Sequence, residues 1–165
     1  MKKFFAIFAI LLSVSILDAK RAKHPLIEIG PKGSLYISSV RFGIGVEVVC
    51  NPLRAVGFRT ELIEVSFGDY TEFYMNAGGS LDALIYIPMR GIEPYIHTGF
   101  GFSVISNGGT NTTFSIRAGM GLNYAFNKQT ILFVEPGIII LDSGAGGGTD
   151  AIFRLSFGGR FGLLR

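Results

Sequence analysis

Two histidines, His24 and His97, and one cysteine, Cys50, are the residues of this 165-residue chain best suited to nucleophilic or metal chemistry. A Ser–His–acid site of the lipid-deacylating kind needs a His within hydrogen-bond reach of a Ser and an acidic partner. His97 is followed by Thr98, and the chain has no His-x-Ser pair. One cysteine excludes an intrachain disulfide and every Cys-based zinc motif. The segment 142–150 carries too few carboxylates at suitable spacing for calcium. Gly-x-Gly occurs at 43–45, 99–101 and 119–121, but each copy sits inside an alternating run with no helix after it, so it is no phosphate loop. The expectation is a protein with no catalytic residues, no cofactor and no metal.

The remaining chemistry-bearing residues are charges spaced at alternate positions. Between 113 and 126, Phe114, Ile116, Ala118, Met120, Leu122, Tyr124 and Phe126 share one face, against Thr113, Ser115, Arg117, Gly119, Gly121, Asn123 and Ala125. A helix would scatter these positions around its circumference, whereas a strand gathers them on one side. The same period places Phe42, Ile44, Val46 and Val48 opposite Arg41, Gly43, Gly45 and Glu47. Likewise Ile96, Thr98, Phe100, Phe102 and Val104 oppose Tyr95, His97, Gly99, Gly101 and Ser103. Phe153, Leu155, Phe157, Phe161 and Leu163 oppose Arg154, Ser156, Gly158, Arg160 and Gly162.

The polar faces decide the architecture. They are built from Gly and Ser with few charges, too small and too weakly charged to be a solvated surface. Glycine makes up 23 residues, charged residues only 16%, hydrophobic ones 48%, and there is no Trp. That composition excludes a disordered tail and a charged coiled coil, and a net charge of +3 implies no nucleic-acid partner. Small residues leaving room for a few Arg and Glu describe a crowded interior, and the Phe-, Ile-, Leu- and Val-rich face then meets lipid.

Eight strands are predicted, at 26–37, 40–50, 55–67, 78–88, 92–105, 113–126, 130–141 and 151–163. An even number suits a closed antiparallel up-and-down transmembrane β-barrel. Turns at 51–54, 88–91 and 127–129 are short, and loops at 68–77, 106–112 and 142–150 are longer, with Ser38-Ser39 a short exception among the loops. Alternation fails at Leu62-Ile63, consistent with a bulge, and residues 70–76 extend the fourth strand. Ahead of the barrel, Lys2 and Lys3, the apolar run 4–12 and the small Ala19 read as a cleaved signal peptide over 1–19, leaving 20–165 as the barrel.

The C-terminal stretch Ser156-Phe157-Gly158-Gly159-Arg160-Phe161-Gly162-Leu163 resembles the β-signal of bacterial outer-membrane barrels, carried here by Ser156, Gly158, Phe161 and Leu163. Leu163 stands where an aromatic is usual. With residues 93–101, the chain resembles small eight-stranded outer-membrane barrels of the OmpA/OmpX-like class. The resemblance implies a bacterial outer-membrane location with both mature termini periplasmic. It also implies outer-membrane lipids and the barrel-assembly machinery as partners, a monomer, and a structural, envelope-integrity or surface-interaction role through loops whose ligand is unspecified. The alternatives are a secreted, soluble lipocalin-like barrel holding an apolar ligand in a Phe-lined core, and a lipid A-modifying barrel enzyme.

An eight-strand interior is filled by side chains. The faces assigned above send Glu28, Lys32, Arg41, Glu47, Arg59, Glu61, Asp82, His97, Arg117, Glu135, Arg154 and Arg160 into it, as a charge-paired plug rather than an open ion path. Around the turn at 51–54, a three-residue loop would set Glu47 directly across from Arg59. Outside, Phe42, Phe102, Phe114 and Phe153 near one end, with Tyr124, Phe126 and Phe161 near the other, form two aromatic belts.

Overall fold

Alternating, β-branched and aromatic runs bounded by Gly, Pro and Asn make strands, and a computed structural model shows how they join. The structure describes residues 24–37, 40–67, 74–75, 80–89, 91–106, 110–142 and 149–164. The expected signal peptide at 1–19 lies outside them. The strands are β1 (Ile27–Tyr36), β2 (Arg41–Cys50), β3 (Val56–Phe67), β4 (Tyr74–Met75), β5 (Ser80–Tyr86), β6 (Ile92–Ser106), β7 (Thr110–Ala125), β8 (Thr130–Asp142) and β9 (Thr149–Leu164).

Every pairing is antiparallel, in the order β2-β1-β9-β8-β7-β6-β5-β3, and β2 also pairs with β3. The sheet therefore closes on itself as an eight-stranded up-and-down barrel, leaving no long free edge. The two-residue β4 pairs with Val65 and Ser66 of β3 above the reach of β5, so it continues the fourth wall of the barrel.

Local chemistry explains the irregularities. Leu62 is the extra residue in β3: Val46 pairs with Ile63, but Glu47 pairs with Glu61, and Leu62 and Ile63 both face outward. This is the bulge that the broken alternation signals. Pro31 is accommodated because pairing between β1 and β9 lapses at Gly30 and Pro31, where a proline has no N–H to donate. Asn127 holds the β7–β8 turn, its side-chain oxygen accepting the backbone N–H groups of Gln129 and Thr130 at 2.8 Å. One expected loop is corrected. Ser106 and Thr110, Asn111 and Thr112 of the expected loop at 106–112 belong to the β6–β7 ladder, with Ser106 paired to Thr110, because β-branched Thr suits a strand; 107–109 lie outside the described residues.

Burial is inverted relative to a water-soluble domain. Among the described residues, 33 large apolar side chains are exposed and eight are buried. At ~25 cal/mol per Å² of apolar area, that distribution is unfavourable in water and favourable when the surroundings are hydrocarbon. Phe100, Phe114 and Phe157 are 44%, 39% and 41% exposed on the outer surface, where a lipocalin-like barrel would have them inside. Phe42, Phe102, Phe153, Tyr124, Phe126 and Phe161 of the expected belts are exposed as well. Phe100, Phe102 and Phe114 form an outward cluster with ring centroids 5.3–6.4 Å apart.

Candidate functional site in the barrel lumen

The lumen is made by pairing large inward side chains with glycines on the same rungs. Tyr95 lies across from Gly121, His97 from Gly119, Arg117 from Gly99, Arg154 from Gly137, and Lys32 from both Gly45 and Gly158. A methyl group at Gly119 would collide with the His97 imidazole, and one at Gly121 with the Tyr95 ring. The glycines are thus volume set aside for their cross-strand partners.

Twelve ionisable side chains are buried in this space: six carboxylates, five cations and His97. Buried charge is tolerable only when paired, and here the pairing is dense. Towards the loop end, Glu61 collects three cations: Lys32 Nζ at 2.5 Å, Arg117 Nη1 at 2.5 Å and Arg154 Nη1 at 3.0 Å. Glu64 takes the same Lys32 ammonium at 2.7 Å, the Ser34 hydroxyl at 3.1 Å and the Tyr36 hydroxyl.

Towards the turn end, Arg59 is the hub. Its guanidinium donates to Glu135 at 2.5 Å and to Asp82 at 2.6 and 2.9 Å, with His97 Nδ1 3.3 Å away. Tyr95 donates its hydroxyl to Glu135 at 2.7 Å. Arg160 donates to Glu47 at 2.5 Å and to Asn123 at 3.2 Å, and its guanidinium lies 4.1 Å from the centroid of the inward-facing Phe133 ring. Arg154 reaches Glu135 at 3.8 Å, linking the two clusters.

Ten of the twelve residues expected inside thus join one ion-pair network, and Glu28 is buried at the turn end. Two expectations are corrected. Arg41 is only half-buried; it sits at the loop-end lip with its guanidinium 5.3 Å from the Tyr36 ring, at the first rung of β2 where the wall ends. Glu47 does not stand across from Arg59. Val49 does, because the turn is longer than three residues, and Glu47 meets Arg59 only diagonally at 3.8 Å while Arg160 takes it over Gly30 of the intervening β1.

Sequence reasoning missed Glu64, whose inward direction depends on the Leu62 bulge, and it missed the plug at the turn end. There His24 folds across the mouth, stacked on Tyr86 with ring centroids 4.7 Å apart. Its Nδ1 meets Glu28 at 2.9 Å and its Nε2 meets Glu93 at 3.1 Å. Asn51 ties this segment down, donating to the Pro25 carbonyl and to Glu28 at 3.0 Å and accepting from the Tyr86 hydroxyl at 2.8 Å. The alternation that revealed the strands carries no information about a segment ahead of the first strand. Of the β-signal residues, Ser156 is buried, Gly158 is half-buried against Phe133, and Phe161 and Leu163 face outward.

No protein-family model and no curated protein sequence matches the chain. Solved structures do. The N-terminal β-barrel domain of Pseudomonas aeruginosa OprF matches with a TM-score of 0.59 and 20% identity, over 82% of this chain and 96% of that one. A de novo designed transmembrane β-barrel matches with a TM-score of 0.54 and 11% identity, over 84% and 97%. Neisserial surface protein A matches with a TM-score of 0.52 and 12% identity, over 83% and 94%. The fold is that of the small eight-stranded transmembrane β-barrels.

Proposed function

We propose that this chain is an outer-membrane protein of a double-membraned bacterium, acting through its scaffold and loops rather than by chemistry. The observation that carries the reading is the reversed polarity: apolar side chains cover the outside and a dozen ionisable groups fill the inside. In this reading residues 1–19 direct export and are removed, and both mature termini face the periplasm, on the side of the short turns. Ser156, Gly158, Phe161 and Leu163 engage the assembly machinery, and the folded protein is a monomer surrounded by outer-membrane lipid. The contribution to the cell is envelope integrity or contact with a surface partner.

A non-catalytic role is supported by the position of His97, buried inside the charge network with Nδ1 3.3 Å from Arg59 and Nε2 3.4 Å from Glu135. Cell fractionation tests the location: the protein should pellet with the outer membrane, resist sarkosyl, and migrate faster on a gel unheated than boiled. Recovery as a soluble periplasmic or secreted monomer without detergent would overturn it.

A further inference from the structure

The turn end of the barrel repeats one short pattern around its circumference. Leu53 is followed by Arg54 between β2 and β3, and Phe126 is followed at one remove by Lys128 between β7 and β8. The same order occurs in sequence at Met89-Arg90 and at Leu164-Arg165. Leu53, Met89, Phe126 and Leu164 are all strongly exposed for apolar side chains, and Arg54 and Lys128 are exposed beside them. Acids at this end, Glu28 and Glu93, point into the mouth, where His24 meets both. The opposite end differs: Asp142 and Asp150 are exposed at the loop ends of β8 and β9.

An apolar side chain beside a cation is the arrangement that enters the acyl boundary while holding a phosphate at the headgroup level. We infer that the turns between β2 and β3 and between β7 and β8 seat anionic phospholipid headgroups, each pairing an apolar wedge, Leu53 or Phe126, with one phosphate-binding cation, Arg54 or Lys128. The inference rests on the membrane reading above and deepens it by naming the lipid class preferred on one side. The Asx turn at Asn127 holds the Lys128 turn in place, so little ordering entropy opposes the contact.

Cys50 provides the reporter: it is the chain's single cysteine, exposed, and the residue before the Asn51 turn. Protein labelled there with bimane is refolded into phosphatidylcholine vesicles holding a graded series of fractions of nitroxide-headgroup phosphatidylglycerol or, in parallel, of nitroxide-headgroup phosphatidylcholine. The charged lipid should half-quench the label at about one-fifth the fraction needed by the neutral one, the equivalent of ~1 kcal/mol for a cation at an anionic surface. The ratio should approach one in Arg54→Gln/Lys128→Gln and in high salt, with folding verified by heat-modifiable migration. Equal quenching of the unaltered protein, or a preference that survives the double substitution, overturns the rim in vesicles that float with their protein. Protein that fails to float, unquenched by either lipid, overturns the membrane reading itself.

Discussion

At the residue scale, the network is organised by a few groups whose loss leaves charge stranded. Glu61 meets Lys32, Arg117 and Arg154 within 3.0 Å, so Glu61→Gln takes a carboxylate from three buried cations, of which Lys32 keeps Glu64 and Arg154 keeps Glu135. Breaking a buried pair from one side costs ~3–5 kcal/mol, and the urea unfolding midpoint in lipid should fall accordingly. Arg117→Ala or Glu135→Ala should also lower the midpoint. An unchanged midpoint together with a new single-channel conductance would mean that the charges gate a path instead of filling a plug. His24→Ala removes a stacked ring and two hydrogen bonds at the mouth, and should cost about 1–2 kcal/mol, read in the same titration. Most of these lumen residues were legible from alternation, because direction along a strand is a local property. Their partners were not: Arg59 on β3 and Glu135 on β8 are separated by 76 residues and meet only across the closed barrel.

At the element scale, the bulge in β3 decides which carboxylates enter. Deleting Leu62 should leave the barrel folded, since Glu61 stays inward, Ile63 outward and Glu64 inward, and the ladder to β2 becomes continuous. Deleting Thr60 should instead destabilise the barrel, because the same absorption of the bulge then turns Glu61 into lipid and Leu62 into the lumen. Val40 offers a milder test. It has φ of 39°, a left-handed backbone that a β-branched residue adopts at a cost. Val40→Asn should raise the unfolding free energy by about 0.5–1 kcal/mol, read from the urea titration, since asparagine tolerates that region without glycine's added chain entropy. The strand count and most boundaries could be read from turn residues and periodicity. The β6–β7 hairpin could not, because Ser, Thr and Asn serve turns and edge ladders alike, and pairing chose the ladder up to Ser106 and Thr110.

At the scale of the whole molecule, the reversed polarity predicts opposite outcomes in hydrocarbon and in water. Phe100→Arg places a cation on the outer surface, and should cost about 2–4 kcal/mol in vesicles if that position lies near the bilayer midplane. In a water-soluble barrel the same outward change would be neutral or solubilising, so unfolding in lipid distinguishes the two environments. The sequence by itself determined that the chain alternates, which side of each strand is apolar, that the small-residue side holds the charges, and that eight strands of membrane-crossing length are present. All of these follow from the two-residue period of a strand and from the size and polarity of single side chains. Only the tertiary structure decided that β2 meets β3 to close the wall, that Leu62 is the bulge bringing Glu64 inside, which cation meets which carboxylate, and that His24 stoppers the turn end. Those depend on register, closure and contacts across the lumen, where residues far apart in the chain share one small, water-poor space.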